Sequence, residues 1–126
     1  MSYLFDTNVV IYYFNGLTAD EALHDRLRDS FRISIITEIE FLGWGEFASQ
    51  QELYNQAKDF LNQATVYPLD RPIAQATIRL RQQYKTKTPD AIIAATALVH
   101  GLTVITQNTD DFDRLGVPTL SVTMKP

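Results

Sequence analysis

Tyr3-Leu4-Phe5-Asp6-Thr7-Asn8, YLFDTN, is the stretch on which the reading of the fold turns. Three apolar residues suited to a buried strand run straight into an acid and two small polar residues, and the chain beyond takes helical spacing. The change recurs downstream. Residues 32–35, RISI, lead into Ile36-Thr37-Glu38-Ile39-Glu40, and residues 103–106, TVIT, lead into Gln107-Asn108-Thr109-Asp110-Asp111-Phe112. Further strands are expected at 65–68 and 119–122, with helices over 8–14, 20–29, 37–49, 51–64, 72–84 and 89–100. Short apolar runs alternating with longer helical segments specify an α/β domain with a mostly parallel sheet. Ligands of such sheets sit beyond the carboxyl ends of the strands, so the acids are expected along one edge.

The 126 residues, 45% hydrophobic and 21% charged, suit one domain spanning 1–126, with no linker or repeat to divide it. With no cysteine, the chain has no disulfide, thiolate metal site or cysteine nucleophile. No apolar run reaches the length of a membrane span, and MSYLFDTN lacks a signal-like segment, so a soluble cytoplasmic protein is expected. The net charge of −4 argues mildly against a nucleic-acid partner. Its distribution argues less strongly: Arg71, Arg79, Arg81, Lys85 and Lys87 occupy a stretch from 71 to 89 that holds no acid and leads into Asp90. Such a run reads first as a solvated helix face.

Each acid has a local explanation. Asp6 can cap the helix that follows it. Thr37 and Glu40 fit a capping box, and Asn108 or Thr109 can cap a short helix with Asp110 and Asp111 in its first turn. In Thr88–Leu98, TPDAIIAATAL, Thr88 can cap, Pro89 suits the first turn and Asp90 meets the positive end of the dipole. Taken together the acids pose a problem that caps do not solve. Several carboxylates gathered beside an apolar core cost several kcal/mol, roughly, unless their charge is offset or they take up protons. A divalent cation solves this, and an all-oxygen ligand set without thiolate suits Mg²⁺ or Mn²⁺.

The remaining chemistry is excluded more simply. His24 lies in a charged segment and His100 in the last turn before Gly101, where a cation favours the helix end. Neither supports imidazole acid–base catalysis. The chain has no G-x-S-x-G elbow, no P-loop and no G-x-G-x-x-G turn.

DTN at 6–8, ITEIEFLG at 36–43, PDAIIAATAL at 89–98 and TQNTDDF at 106–112 together resemble the PIN domain, and within it the VapC-type toxins of bacterial toxin–antitoxin pairs. The resemblance runs the length of the chain in order. It implies a three-layer fold with a central, mostly parallel five-stranded sheet flanked by helices. It also implies a Mg²⁺- or Mn²⁺-dependent endoribonuclease that leaves a 3′-hydroxyl and a 5′-phosphate. Carried over by position, Asp6, Glu40, Asp90 and Asp111 become metal ligands and catalytic acids, with Thr7, Asn8, Thr106 and Asn108 in support. Asp110 is the reserve for the fourth position, and Glu38, on another helix face, is the weaker neighbour of Glu40. A VapB-like antitoxin and a homodimer are the implied partners, with RNA as substrate.

The apolar run Val9–Phe14 is too rich for one helix face and suits either core or interface, and Trp44 suits core, interface or a nucleobase. Two rivals remain: a phosphatase using Asp6 as nucleophile, disfavoured because Asn8 stands where a second acid is usual, and a non-catalytic PIN-like binding module.

Overall fold

The computed structural model describes residues 2–126. Its elements follow the expected alternation: β1 Tyr3–Phe5, α1 Thr7–Phe14, α2 Glu21–Asp29, β2 Arg32–Ser34, α3 Ile35–Leu42, a 3-10 turn Gly45–Ser49, α4 Gln51–Leu61, β3 Thr65–Tyr67, α5 Arg71–Gln83, α6 Thr88–His100, β4 Thr103–Ile105, α7 Thr109–Arg114 and β5 Thr119–Leu120.

Every strand pairing is parallel, but the expected five-stranded sheet is divided. β4 pairs with β1 and β5 in the order β1-β4-β5, while β2 and β3 form a separate pair. β2 packs alongside β1, yet among the described residues no ladder joins them. Length supplies the reason. Asp6 and Ser34 are helix N-caps, so each strand turns into a helix after three residues and leaves little extended backbone to close a further ladder.

The strands separate two cores by their two-residue alternation. Leu4 and Val104 face Ile73, Leu80, Ile92, Ala95 and Phe112 from α5, α6 and α7. Phe5 and Ile105 face the opposite way, toward Val9, Val10, Leu23, Phe31, Phe41 and Leu61. Helices thus cover both faces, and the central residues read as apolar runs. The second core is aromatic: Phe60 lies 5.1 Å from Phe31 and 5.6 Å from Phe14, centroid to centroid, and Phe5 meets Phe31 edge-on. Val9 and Val10 of the rich 9–14 run are core, and Phe14 and Tyr13 join the aromatic cluster.

Two local expectations are corrected. The helix expected over 37–49 ends at Leu42 because Gly43 closes it; a Cβ there would stand 2.5 Å from the Ile39 carbonyl oxygen, so a tight turn at this point excludes a side chain. At α6, Lys87 is the N-cap without a side-chain bond, and Thr88 is already helical. Pro89 and Asp90 stand in the first turn as expected, and Gly101, at φ +66°, ends α6 in the left-handed region. Among the described residues no helix is long and apolar enough to cross a membrane.

Candidate active site

Asp6 sits where β1 becomes α1. Its amide donates to the Ile105 carbonyl at 3.0 Å, which ties it to the end of β4. One carboxylate oxygen accepts the Thr7 amide at 2.8 Å and the other accepts the Thr106 hydroxyl at 2.9 Å. Thr106 itself accepts the Asn108 amide at 2.9 Å, and its own amide reaches the Leu120 carbonyl. One threonine therefore joins the acid of β1 to the turn after β4.

A second hydroxyl pair holds Glu40. The Thr7 hydroxyl donates to Glu40 at 2.7 Å and lies 2.9 Å from the Thr37 hydroxyl. Thr7 has one hydroxyl proton; spent on Glu40, it leaves Thr37 as the donor to Thr7. The capping box expected of Thr37 and Glu40 does not form, because Ser34 caps α3 three residues earlier, accepting the Ile36 amide. Thr37 is instead buried in the site beneath Glu40. Sequence reasoning assigned it to a cap; its place one turn before Glu40, on the same helix face, was the signal for this role.

Asp90 enters from the first turn of α6 and is half-buried, while Asp111, from the first turn of α7, is exposed. Asp90, Asn108 and Asp111 line one cavity of about 320 Å³ with Lys85, Lys87 and Arg114. Asp110 is absent from that lining, Asn8 is exposed, and Glu38 makes no side-chain hydrogen bond among the described residues. Asn108 is the N-cap residue of α7 but its side chain caps nothing.

The electrostatics bind the two halves of the site together. Burial pushes the Asp6 carboxyl up to about 6; the Thr106 hydrogen bond opposes this, the Asp90 charge adds to it, the Thr7 amide opposes it, and Glu40 adds further. Asp6 is only 4% exposed, in keeping with that first cause. Asp90 is raised as well, by burial first, then by Glu40 and Asp111, with Lys87 acting against them. Among the described residues the one salt bridge, Arg28 to Asp25, is remote from these acids. Asp6, Glu40, Asp90 and Asp111 thus form a chain of mutually repelling carboxylates without an ion-pair partner.

An oxygen-only donor set of this charge, offset by Lys87 at Asp90 but without an ion pair among the described residues, fits a hard divalent cation. Among the described residues no three acidic or histidine side chains are already gathered into a metal-holding cluster. The histidines are engaged elsewhere: exposed His24 hydrogen-bonds the Tyr13 hydroxyl and His100 packs on Tyr67. Glu40 also borders an apolar groove of about 350 Å³, lined by Ile11, Phe14, Phe41, Trp44 and Phe47. Trp44 is 48% exposed there and meets Phe47 edge-on at 5.1 Å.

The family model described as PIN domain matches residues 3–118. Among solved structures, a toxin–antitoxin complex from Klebsiella pneumoniae is 34% identical, with a TM-score of 0.75, covering 94% of this chain and 96% of that one. DNA-bound VapBC from Salmonella typhimurium is 23% identical with a TM-score of 0.83, covering 96% and 98%. FitAcB from Neisseria gonorrhoeae is 25% identical with a TM-score of 0.75, covering 94% and 96%. No curated protein matches the chain.

Proposed function

The chain belongs to the PIN domain family, and from that premise we propose that it is a Mg²⁺- or Mn²⁺-dependent endoribonuclease, the VapC-type toxin of a toxin–antitoxin pair acting in the cytoplasm. The observation that carries this reading is Asp6: a carboxyl 4% exposed, raised to about 6, and repelled by further carboxylates that have no ion-pair partner. Burial of this kind is a standing cost to the fold, and it is accounted for if the acids exist to receive a cation and a phosphate.

Asp6, Glu40, Asp90 and Asp111 would hold the ion. When bound, a divalent cation lowers the pKa of an attacking water and offsets charge on the phosphate and the leaving oxygen. The chain's own residues prepare for this. Thr106 and the Thr7 amide each occupy one oxygen of Asp6 and so set its plane, leaving the remaining lone pairs to face the site. The Thr7–Thr37 pair fixes Glu40 in the same way, and exposed Asp111 is free to swing toward Asp90. Products with a 3′-hydroxyl and a 5′-phosphate are expected.

The Klebsiella relative was solved as a toxin–antitoxin complex and the Salmonella one as a DNA-bound VapBC, and on that likeness a small antitoxin partner is proposed here; a homodimer is proposed with it. The test is cleavage of total RNA with Mg²⁺ or Mn²⁺, followed by mapping of the new ends. Asp6→Asn should abolish cleavage, as should a chelator; full activity in either condition overturns the proposal.

A further inference from the structure

We propose that Lys85 and Lys87, with Arg114, form a strap that grips the phosphate backbone of single-stranded RNA beside the acids. The inference deepens the nuclease reading and rests on it for the identity of the polyanion.

The basic stretch 71–89 is divided by the fold. Arg71 begins α5 and is exposed, while Arg79 and Arg81 line other surface grooves away from the acids. For these three the solvated-face reading holds. α5 stops at Gln83, and the chain then runs extended, with Tyr84 at φ −132°, ψ 148° and Lys87 at φ −75°, ψ 148°. This extended link carries Lys85, Thr86 and Lys87 into the wall of the cavity that Asp90, Asn108 and Asp111 also line.

The link is fastened at the far side. Arg114 Nη2 donates to the Lys85 carbonyl at 3.1 Å, so α7, which carries Asp111, holds the lysine link in place. Despite the adjacent carboxylates, neither lysine nor Arg114 is in a salt bridge among the described residues. In a chain of net charge −4, a set of exposed cations kept out of ion pairs at the mouth of an acidic cavity is suited to an incoming anion. A cavity lined by both acids and cations matches a nucleic-acid strand, whose reacting phosphate goes to the acids with their cation while neighbouring phosphates go to the lysines. An uncharged ligand would leave those lysines without a partner.

The test is binding of a short fluorescein-labelled single-stranded RNA to the full chain carrying Asp6→Asn, which stops turnover. Lys85→Gln with Lys87→Gln is compared with Arg71→Gln with Arg79→Gln, the same charge change placed elsewhere. The lysine pair is expected to weaken binding roughly tenfold and to lower the slope of log Kd against log salt by about 1.4, two single-strand phosphate contacts. The arginine pair is expected to stay within about twofold. Equal affinities and slopes for the two pairs overturn the strap. If the wild-type chain cleaves no RNA with Mg²⁺ or Mn²⁺ while the lysine effect persists, the nuclease reading falls and the strap stands. If the lysine pair instead impairs capture of an acidic peptide and leaves RNA binding unchanged, the strap belongs to a protein partner and the proposal falls.

Discussion

Asp6 and Asp111 lie at the same edge of the sheet and are held in opposite ways. Asp6 is buried and hydrogen-bonded at both carboxylate oxygens, by the Thr7 amide and the Thr106 hydroxyl. Asp111 is exposed, on the short helix α7, and coupled to Asp90 through charge alone. One half of the site is positioned before any ligand arrives; the other half has room to adjust. A site proposed to receive both a cation and a polyanion gains from this division, since fixed ligands set geometry and adjustable ones close the sphere.

The sharpest way to break the comparison is to remove charge from the rigid half. Asp6→Asn should abolish cleavage and yet stabilise the fold at pH 8 in chelator, by as much as roughly 3 kcal/mol from the raised carboxyl. Denaturant unfolding of both proteins checks this, and a variant less stable than the parent at that pH would mean that the carboxylate is not strained.

The same strain predicts a pH dependence. The Asp6 carboxyl is higher in the folded chain, at about 6, than its ordinary 3.8, so the folded state binds the proton more tightly. Its stabilising contribution is fully present below pH 3.8 and is lost as pH rises through about 6. Mg²⁺ or Mn²⁺ should therefore raise the melting temperature at pH 7.5 and have a smaller effect at pH 4.5, where Asp6 is protonated. Thermal melts with and without the ion give the answer, and an equal shift at both pH values would place the ion elsewhere.

A smaller effect is expected from the supporting hydroxyl. Thr106→Val takes the donor from Asp6 and the acceptor from the Asn108 amide, at a cost of about 1–3 kcal/mol where that group stays buried. Cleavage should fall roughly 10–100-fold, with the pH at half-activity moving up because a bond that favoured the ionised acid is gone. An unchanged pH profile would reduce Thr106 to a structural part.

The mildest test addresses the open half. Asp111→Asn should lower the titration midpoint of Asp90, followed by carboxyl-carbon NMR, because one of the charges that raises it has been removed. Asp110→Asn should leave that midpoint unmoved, since Asp110 is not among the groups that act on Asp90. The reverse pattern would exchange the roles of the two acids.

Much of this was legible in the linear chain. Short apolar runs followed by acids marked β1, β2 and β4 and the edge at which the acids gather, because the change from strand to helix spacing is a local signal. Pro89, Asp90 and Gly101 announced α6 for the same reason, each acting within one helical turn. The break at Gly43, the cap by Ser34 and the division of the sheet were less legible. The first two are set by backbone geometry within one turn, Gly43 by the Ile39 carbonyl that a Cβ would strike and Ser34 by the Ile36 amide it accepts, and the sheet by how few residues remain extended. Thr37 shows the difference most clearly. A threonine three residues before a glutamate is a capping box by local chemistry, and it became part of the candidate site only because Thr7, thirty residues earlier, came to lie against it.

By itself the sequence determined the order of elements, the absence of thiolate ligands and the residue types offered at the strand ends, since composition and short-range spacing suffice for these. The tertiary structure alone decided which hydroxyl holds which acid and which lysines face the cavity, because hydrogen bonds and repulsion act across distances in space that spacing along the chain does not encode.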